Sequence, residues 1–300
     1  MRTVLAVVCL SVCACTRAAD APQTGGVLRI TRTTVGELGP AFKHLSNIKY
    51  EVVSEGGSSI TSLVELLNNK IDVSIPVADV AYLAYAGQLD EIPKPFDQLR
   101  GMAVVGFNAL HLLVAPNVDA RSVHELRGLH VSMGPPGSST ALIAERLLQA
   151  HGIPIHSIRA EKIPNQEMLK LLPRGAIDAA FVGYNPGSSS AASAMAAGAR
   201  LVPLAGSIVE DIRTQYPYLK RMVIPANTYP NQPAPVHTIG VDTVMACRAD
   251  LDEDVVYRLL DAYFAAQPAT MPVNFERAPA TPIPLHPGAA RYYRQRELTR

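Results

Sequence analysis

Leu66-Leu67-Asn68-Asn69-Lys70-Ile71-Asp72-Val73-Ser74 and Leu171-Leu172-Pro173-Arg174-Gly175-Ala176-Ile177-Asp178-Ala179-Ala180 decide the fold. Each ends a helical stripe, turns tightly and begins a strand that opens Ile-Asp, the second being one residue longer. Their spacing is far too long for a solenoid and suits two lobes built on similar plans. Around the first joint, Val27-Leu28-Arg29-Ile30 and Tyr50-Glu51-Val52-Val53 read as strands. Ser58 to Lys70 reads as a helix, with Ile60, Leu63, Val64 and Leu67 at i, i+3, i+4 and i+7. Alternation of this kind predicts an α/β chain of right-handed βαβ units on a parallel sheet, with helices on both faces.

Two long extended runs are candidates to pass from one lobe to the other. They are Met102 to Gly106 with Leu110 to Val114, and Val236 through Cys247. Two crossings make the second lobe a continuous insertion, so residues 26–105 and 237–300 are expected to form lobe one and residues 106–236 lobe two. Lobe one then includes a helix from Asp252 to Gln267, whose acidic first turn suits its dipole and whose stripe is Val256, Leu259, Leu260 and Tyr263. Pro268 to Pro287 is too rich in proline for regular helix and predicts an extended strap over a lobe.

The composition excludes several classes of function. Of 300 residues 48% are hydrophobic and 18% charged, enough for a sizeable core and contrary to general disorder. Lys and Arg number 27 and Asp and Glu 26, and no basic run occurs, so the electrostatic footprint of a nucleic-acid binder is missing. No Trp is present and only 6% of residues are aromatic, which leaves few platforms for stacking bases. No apolar run reaches the 18 or so residues of a membrane span, so a polytopic transporter is excluded.

Met1 to Cys15 reads as an export signal, with Arg2 ahead of a short apolar core that starts at Val4. Two processing sites fit. Val12-Cys13-Ala14-Cys15 resembles a bacterial lipobox, which makes Cys15 the acylated residue and the protein a periplasmic or extracytoplasmic one, anchored to the membrane by lipid. Cleavage near Ala18-Ala19-Asp20-Ala21 instead releases a free secreted chain. Either leaves Cys247 alone in the fold, where its apolar run marks it as a small buried hydrophobe.

Three loops rich in Gly, Ser and Asn stand before helices: Glu55-Gly56-Gly57-Ser58-Ser59, Gly134-Pro135-Pro136-Gly137-Ser138-Ser139-Thr140 and Gly183-Tyr184-Asn185-Pro186-Gly187-Ser188. Free backbone N–H groups, a positive helix end and small hydroxyls converge at each, which is equipment for holding a carboxylate. One such loop alone is a plain N-cap with a turn; three across two lobes face one another when a cleft closes. Asp79 either faces a ligand or caps a helix from Val80 to Ala86, and Arg32 is either a counter-charge or a solvated edge residue.

Catalytic sets are missing. Gly137-Ser138 is no nucleophile elbow, no glycine loop leads into a P-loop lysine, and His124-Glu125 meets Gly128 where a zincin has its second ligand. The eight histidines show no ligand pairing and read as surface or half-buried. No enzyme activity, cofactor or metal is expected.

The quoted pieces, taken in order, resemble the TAXI-type solute receptors of TRAP transporters. The match runs through Glu55-Gly56-Gly57-Ser58, Ile71-Asp72-Val73, Asp79-Val80-Ala81-Tyr82, Leu110 to Val114, Gly134 to Ser138, Ile177 to Phe181, Tyr216-Pro217-Tyr218, Ile224 to Pro230 and Asp254 to Tyr257. This implies a two-lobed periplasmic-binding-protein type II fold, two sheets flanked by helices with a ligand cleft between the lobes. It implies a monomer that clamps a small carboxylate, an amino acid or organic acid such as glutamate, for TRAP membrane permease subunits. The same clamp would also serve a ligand-sensing accessory protein of a membrane signalling complex. The expected ligand contacts are Arg32, Gly57, Ser58, Ser59, Asp79, Gly137, Ser138, Ser139, Thr140, Tyr184, Asn185 and Tyr229. Three positions depart from the family pattern: Thr31 to Pro40 replaces a glycine-rich turn, Ala78 a polar residue and Asn108 an acidic one.

Overall fold

The computed structural model describes residues 26–34, 38, 48–266 and 275–298. The export signal and Cys15 lie outside the described residues. A small parallel sheet pairs β1 (Leu28–Thr31) with β2 (Tyr50–Ser54). The larger sheet has the order β3-β10-β4-β7-β5-β6, with β8 on the end of β4 and β9 on the start of β10. Its strands are β3 (Val73–Ser74), β4 (Leu99–Val114), β5 (His130–Ser132), β6 (Arg159–Glu161), β7 (Ala179–Tyr184), β8 (Arg200–Val202), β9 (Lys220–Ile224) and β10 (Val236–Arg248). Helices α1 (Ser59–Leu67), α2 (Ala78–Ala86), α3 (Ser139–Ala150), α4 (Asn165–Leu171), α5 (Ser189–Ala196), α6 (Ser207–Gln215), α7 (Glu253–Ala265) and α8 (Pro287–Leu298) flank the sheets.

Long β4 and β10 lie side by side in the larger sheet. The first part of β4 pairs with β10, from Leu99 opposite Arg248 to Ala109 opposite Gly240. Its last part, Ala109 to Val114, pairs with β7. β10 begins against β9 and ends against β3. These pairings are antiparallel, whereas β1–β2, β5–β6 and β5–β7 are parallel. The expected parallel sheet is thus corrected to a mixed one. A chain that leaves one lobe and returns must run its two crossing strands in opposite directions.

Three apolar clusters fill the layers. One runs from Leu63 and Val80 through Leu112 and Val241 to Ile143 and Leu147, so it joins α1 and α2 to α3 across β4 and β10. Another packs Ile30, Met102 and Met245 under Leu259, Leu260 and Tyr292, and the third packs Leu113, Met168, Ala180 and Met195. α7 buries the predicted stripe, and Asp252 Oδ1 caps it by accepting from the Asp254 and Val255 amides at 2.9 and 3.0 Å. On α1 the buried face is Ile60, Leu63 and Leu66, while Leu67 is 41% exposed. The stripe drawn through Leu67 followed the i+7 rule one residue too far, because the helix ends there and Asn68 already turns away.

Of the proline-rich strap, the described part lies along β4: the Val104 amide donates to the Ala278 carbonyl at 2.7 Å and the Gly101 amide to Pro284 at 2.9 Å. Helix α8 was not foreseen. It begins at Pro287, where a missing N–H costs nothing, and buries Tyr292 and Tyr293 beside α7. His111 and His286 are also corrections to the surface reading, being 1% and 0% exposed. Cys247 is fully buried, and burial pushes its thiol pKa up.

Candidate ligand-binding cleft

Two adjoining chambers share Gly57, Ser59, Val77 and Asn108. The larger of the two, about 350 Å³, is also lined by Thr31, Thr33, Thr34, Phe107, Asn185 and Thr243. The smaller, about 220 Å³, adds Ser58, Ser138, Ser139, Thr140, Gly183 and Gly240. Among the described residues the lining holds hydroxyls, amides and apolar groups, and no charged side chain.

The smaller chamber lies between two helix starts. Ser58 caps α1, its Oγ accepting from the Thr61 amide at 3.2 Å. Ser138 caps α3 in the same way, accepting from Ala141 at 3.2 Å, and its own hydroxyl donates to the Pro135 carbonyl at 2.7 Å. Gly137 has φ +63°, and a Cβ placed on it would lie 3.8 Å from Ser58 Oγ. The two Gly-Ser loops, so far apart in sequence, therefore meet. Glycine at 137 permits the left-handed turn that aims α3 at α1. The first N–H groups of a helix lack intrahelical partners, so both helices present donors and positive dipole ends to the same space.

Behind the wall sits Asp79, the second residue of α2 and 0% exposed. Because α2 starts at Ala78, Asp79 is neither the helix cap nor part of the lining. Its Oδ2 accepts from Ser139 Oγ at 2.6 Å and its Oδ1 has no hydrogen-bond partner. Burial raises its pKa, opposed by the Ser139 hydrogen bond, the Val80 amide and the charge of Arg146. Arg146 hydrogen-bonds the Tyr218 hydroxyl and lies 4.1 Å above the Tyr216 ring, and Tyr218 packs 5.6 Å from Tyr82. The Tyr218 hydroxyl is pushed up to about 12 by burial.

The remaining sequence candidates divide. Gly57, Ser58, Ser59, Ser138, Ser139, Thr140 and Asn185 line the chambers. Arg32 does not: its Nε pairs with Glu55 at 2.8 Å, with the two side chains 67% and 77% exposed. Tyr184 turns its hydroxyl to Asn165 and Ser190. Tyr229 is buried under the third loop, where its hydroxyl lies 2.8 Å from His111 Nε2 and accepts from the Gly187 amide at 3.1 Å. His111 Nδ1 faces the Ala109 carbonyl at 2.9 Å, so that nitrogen donates and Nε2 accepts from Tyr229. Burial lowers the His111 pKa and keeps the ring neutral for this arrangement. Tyr229 thereby supports the loop that presents Asn185.

Sequence reasoning missed Thr243 as lining, and noted the Thr31 to Pro40 segment and Asn108 only as departures from the family pattern. Asn108 and Thr243 sit in β4 and β10 among other polar residues, such as His111, Thr238 and Asp242, so polarity alone does not single them out. Among the described residues no cluster of His, Cys, Asp and Glu is placed to hold a metal ion.

Solved structures share this architecture. A Bordetella bronchiseptica RB50 protein superposes with a TM-score of 0.54 at 15% identity, over 89% of this chain and 79% of that one. The periplasmic aliphatic sulphonate binding protein SsuA from Escherichia coli gives 0.51 at 17% identity, over 80% and 72%. A Xanthomonas citri protein bound to chloride ion gives 0.50 at 14%, over 88% and 89%. At such identities the likeness is one of fold, that of the two-lobed periplasmic binding proteins. A family model matches residues 21–296, and the chain belongs to the NMT1-like family.

Proposed function

We propose that this protein is an extracytoplasmic solute-binding receptor, not an enzyme, that closes two lobes on a small organic anion for a membrane transporter. The lobes are residues 26–105 with 237–300, and residues 106–236. The observation that carries this reading is the meeting of two capped helix starts over one uncharged cavity. Without a cation in the lining, an anion is held there by amide N–H groups, hydroxyls and dipole ends, whose strength grows as closure excludes water. The cavity admits an amino acid or a short carboxylic acid. Ser58, Ser59, Ser138, Thr140 and Asn185 supply hydroxyl and amide contacts. The order of motifs shared with TAXI receptors supports a TRAP permease as the transporter, and the lipobox supports attachment of a monomer through Cys15.

A thermal-shift screen with amino acids, organic acids and alkanesulfonates tests the reading. A carboxylate at about 100 times its dissociation constant adds about 2.7 kcal/mol of stability. A shift with sulfonates alone replaces the carboxylate with that anion, and no shift at millimolar concentrations overturns the receptor. Sodium-driven uptake by a co-reconstituted TRAP permease tests the partner.

A further inference from the structure

Asp79 is 0% exposed and, among the described residues, its carboxylate has no countercharge in contact and no side-chain hydrogen-bond partner for Oδ1. It belongs to α2, which packs on α1 and β10; its side-chain partner among the described residues, Ser139, opens α3, which packs on β7 and α6. The contact thus joins the two lobes, sixty positions apart in sequence. Tyr82 of α2 and Tyr218 meet beside it in the same sense. Ser139 touches the cleft from this side, whereas Asp79 does not line it.

We propose that Asp79 is a positioning residue at the contact between the lobes. Closure takes its carboxylate out of water and leaves Ser139 as its side-chain partner, so this pair sets the balance between open and closed cleft, with Asp79 itself behind the wall of the site. The proposal rests on the two-lobed clamp described above. Separating the lobes gives Asp79 back to water and costs one hydrogen bond. Closing them requires either that hydrogen bond or a neutral side chain. The charged and titratable groups that face Asp79 are Arg146 of α3 and the Tyr218 hydroxyl on the segment before β9.

The test measures lobe separation in the ligand-free full chain, with Cys9, Cys13 and Cys15 replaced by Ser and spin labels at the exposed positions of Glu91→Cys and His156→Cys. Ser139→Ala is expected to lower the closed-to-open ratio about tenfold, since it strands a buried carboxylate. Asp79→Asn, which removes the charge, is expected to keep the ratio at or above that of the parent chain. In the Asp79→Asn background Ser139→Ala is expected to shift it by less than threefold. Lowering the pH mimics Asp79→Asn in the parent chain and does nothing further in that variant. A wedge in the shared wall, Asn108→Trp, separates the two readings. If the wedge lengthens the distance and Ser139→Ala does not, the Asp79–Ser139 device is overturned and the clamp stands. If neither moves the labels, both fall. A Ser139→Ala protein that melts earlier at an unchanged label distance counts as a static contact and overturns the proposal as well.

Discussion

The two joints that echo one another in sequence do the same backbone work with different side chains. In lobe one the Asp72 amide donates to the Arg29 carbonyl, and Asp72 Oδ2 accepts the Arg29 amide, at 2.8 and 2.7 Å. In lobe two the Asp178 amide donates to the His130 carbonyl and Oδ2 accepts the His130 amide, both at 2.8 Å. Each aspartate thereby clips the entry of a strand, β1 or β5, to the joint that precedes β3 or β7. Three residues earlier, Asn69 and Gly175 both hold left-handed backbone, at φ 55° and 68°. The difference lies in charge. Asp72 also receives the Arg29 guanidinium, whose Nη1 reaches the Asn69 carbonyl at 2.6 Å, and stands 3.7 Å from Arg248. At the second joint an imidazole nitrogen, His130 Nδ1, faces the Ala176 carbonyl at 3.1 Å instead. Both joints lead into strands of the larger sheet, β3 and β7, so the two clips differ in their side-chain partners rather than in the sheet they serve.

Replacing each clip breaks or sharpens that comparison. Asp72→Ala takes the carboxylate from Arg29, while Arg248 keeps Asp250, and is expected to cost about 3 kcal/mol in urea unfolding. Asp178→Ala leaves only a backbone amide unpaired and is expected to cost about 1–2 kcal/mol. Equal losses would show that the arginines add nothing. At the turn, Gly175→Ala is expected to cost about 1 kcal/mol because an alanine resists left-handed backbone. Asn69→Gly should change stability by less than half of that, since asparagine already tolerates this conformation.

These joints also explain what could be read from the chain alone. The Ile-Asp echo, the two long extended runs and the serine caps depend on local pattern, and each is seen as a joint, a strand or a cap. The parallel sheet did not, because alternation of elements says nothing about the direction in which an inserted lobe sends the chain home. The cleft was legible where a loop precedes a helix, at Ser58 and Ser138. It was hidden at Thr31 and Thr243, whose membership depends on which face of a strand meets the void. Tyr229 and Asp79 look like ligand groups in sequence because they are polar and near the right loops. Only packing reveals that Tyr229 props a loop through His111 and that Asp79 spends its hydrogen bond on Ser139.

Buried Asp79 contrasts with both clips, since its carboxylate takes its side-chain hydrogen bond from Ser139 and, among the described residues, forms no ion pair. Its pKa is raised, so the folded chain binds a proton there more tightly than the unfolded chain. That stability is complete below the ordinary carboxylate range and is lost as pH rises through the raised value. The expected outcome is a melting temperature whose decline from acid toward neutral pH becomes shallower in Asp79→Asn. An unchanged slope would assign the decline to other groups.

The smallest expected effect is also informative about charge. Arg32 and Glu55 form a pair open to solvent on both sides. Exposed pairs add little, so Arg32→Ala should alter unfolding free energy by less than about 0.5 kcal/mol. Its consequence for binding is the sharper measurement. If the cleft holds its anion by helix starts and hydroxyls, the best carboxylate from the thermal screen should bind Arg32→Ala within about twofold of the parent, while Ser58→Ala and Ser138→Ala each weaken it several-fold through a cap worth about 1 kcal/mol. Loss of binding in Arg32→Ala would mean that closure frees the guanidinium from Glu55 and swings it inward. The anion would then be held by an ion pair, and the resemblance between the two capped helices would matter for folding alone.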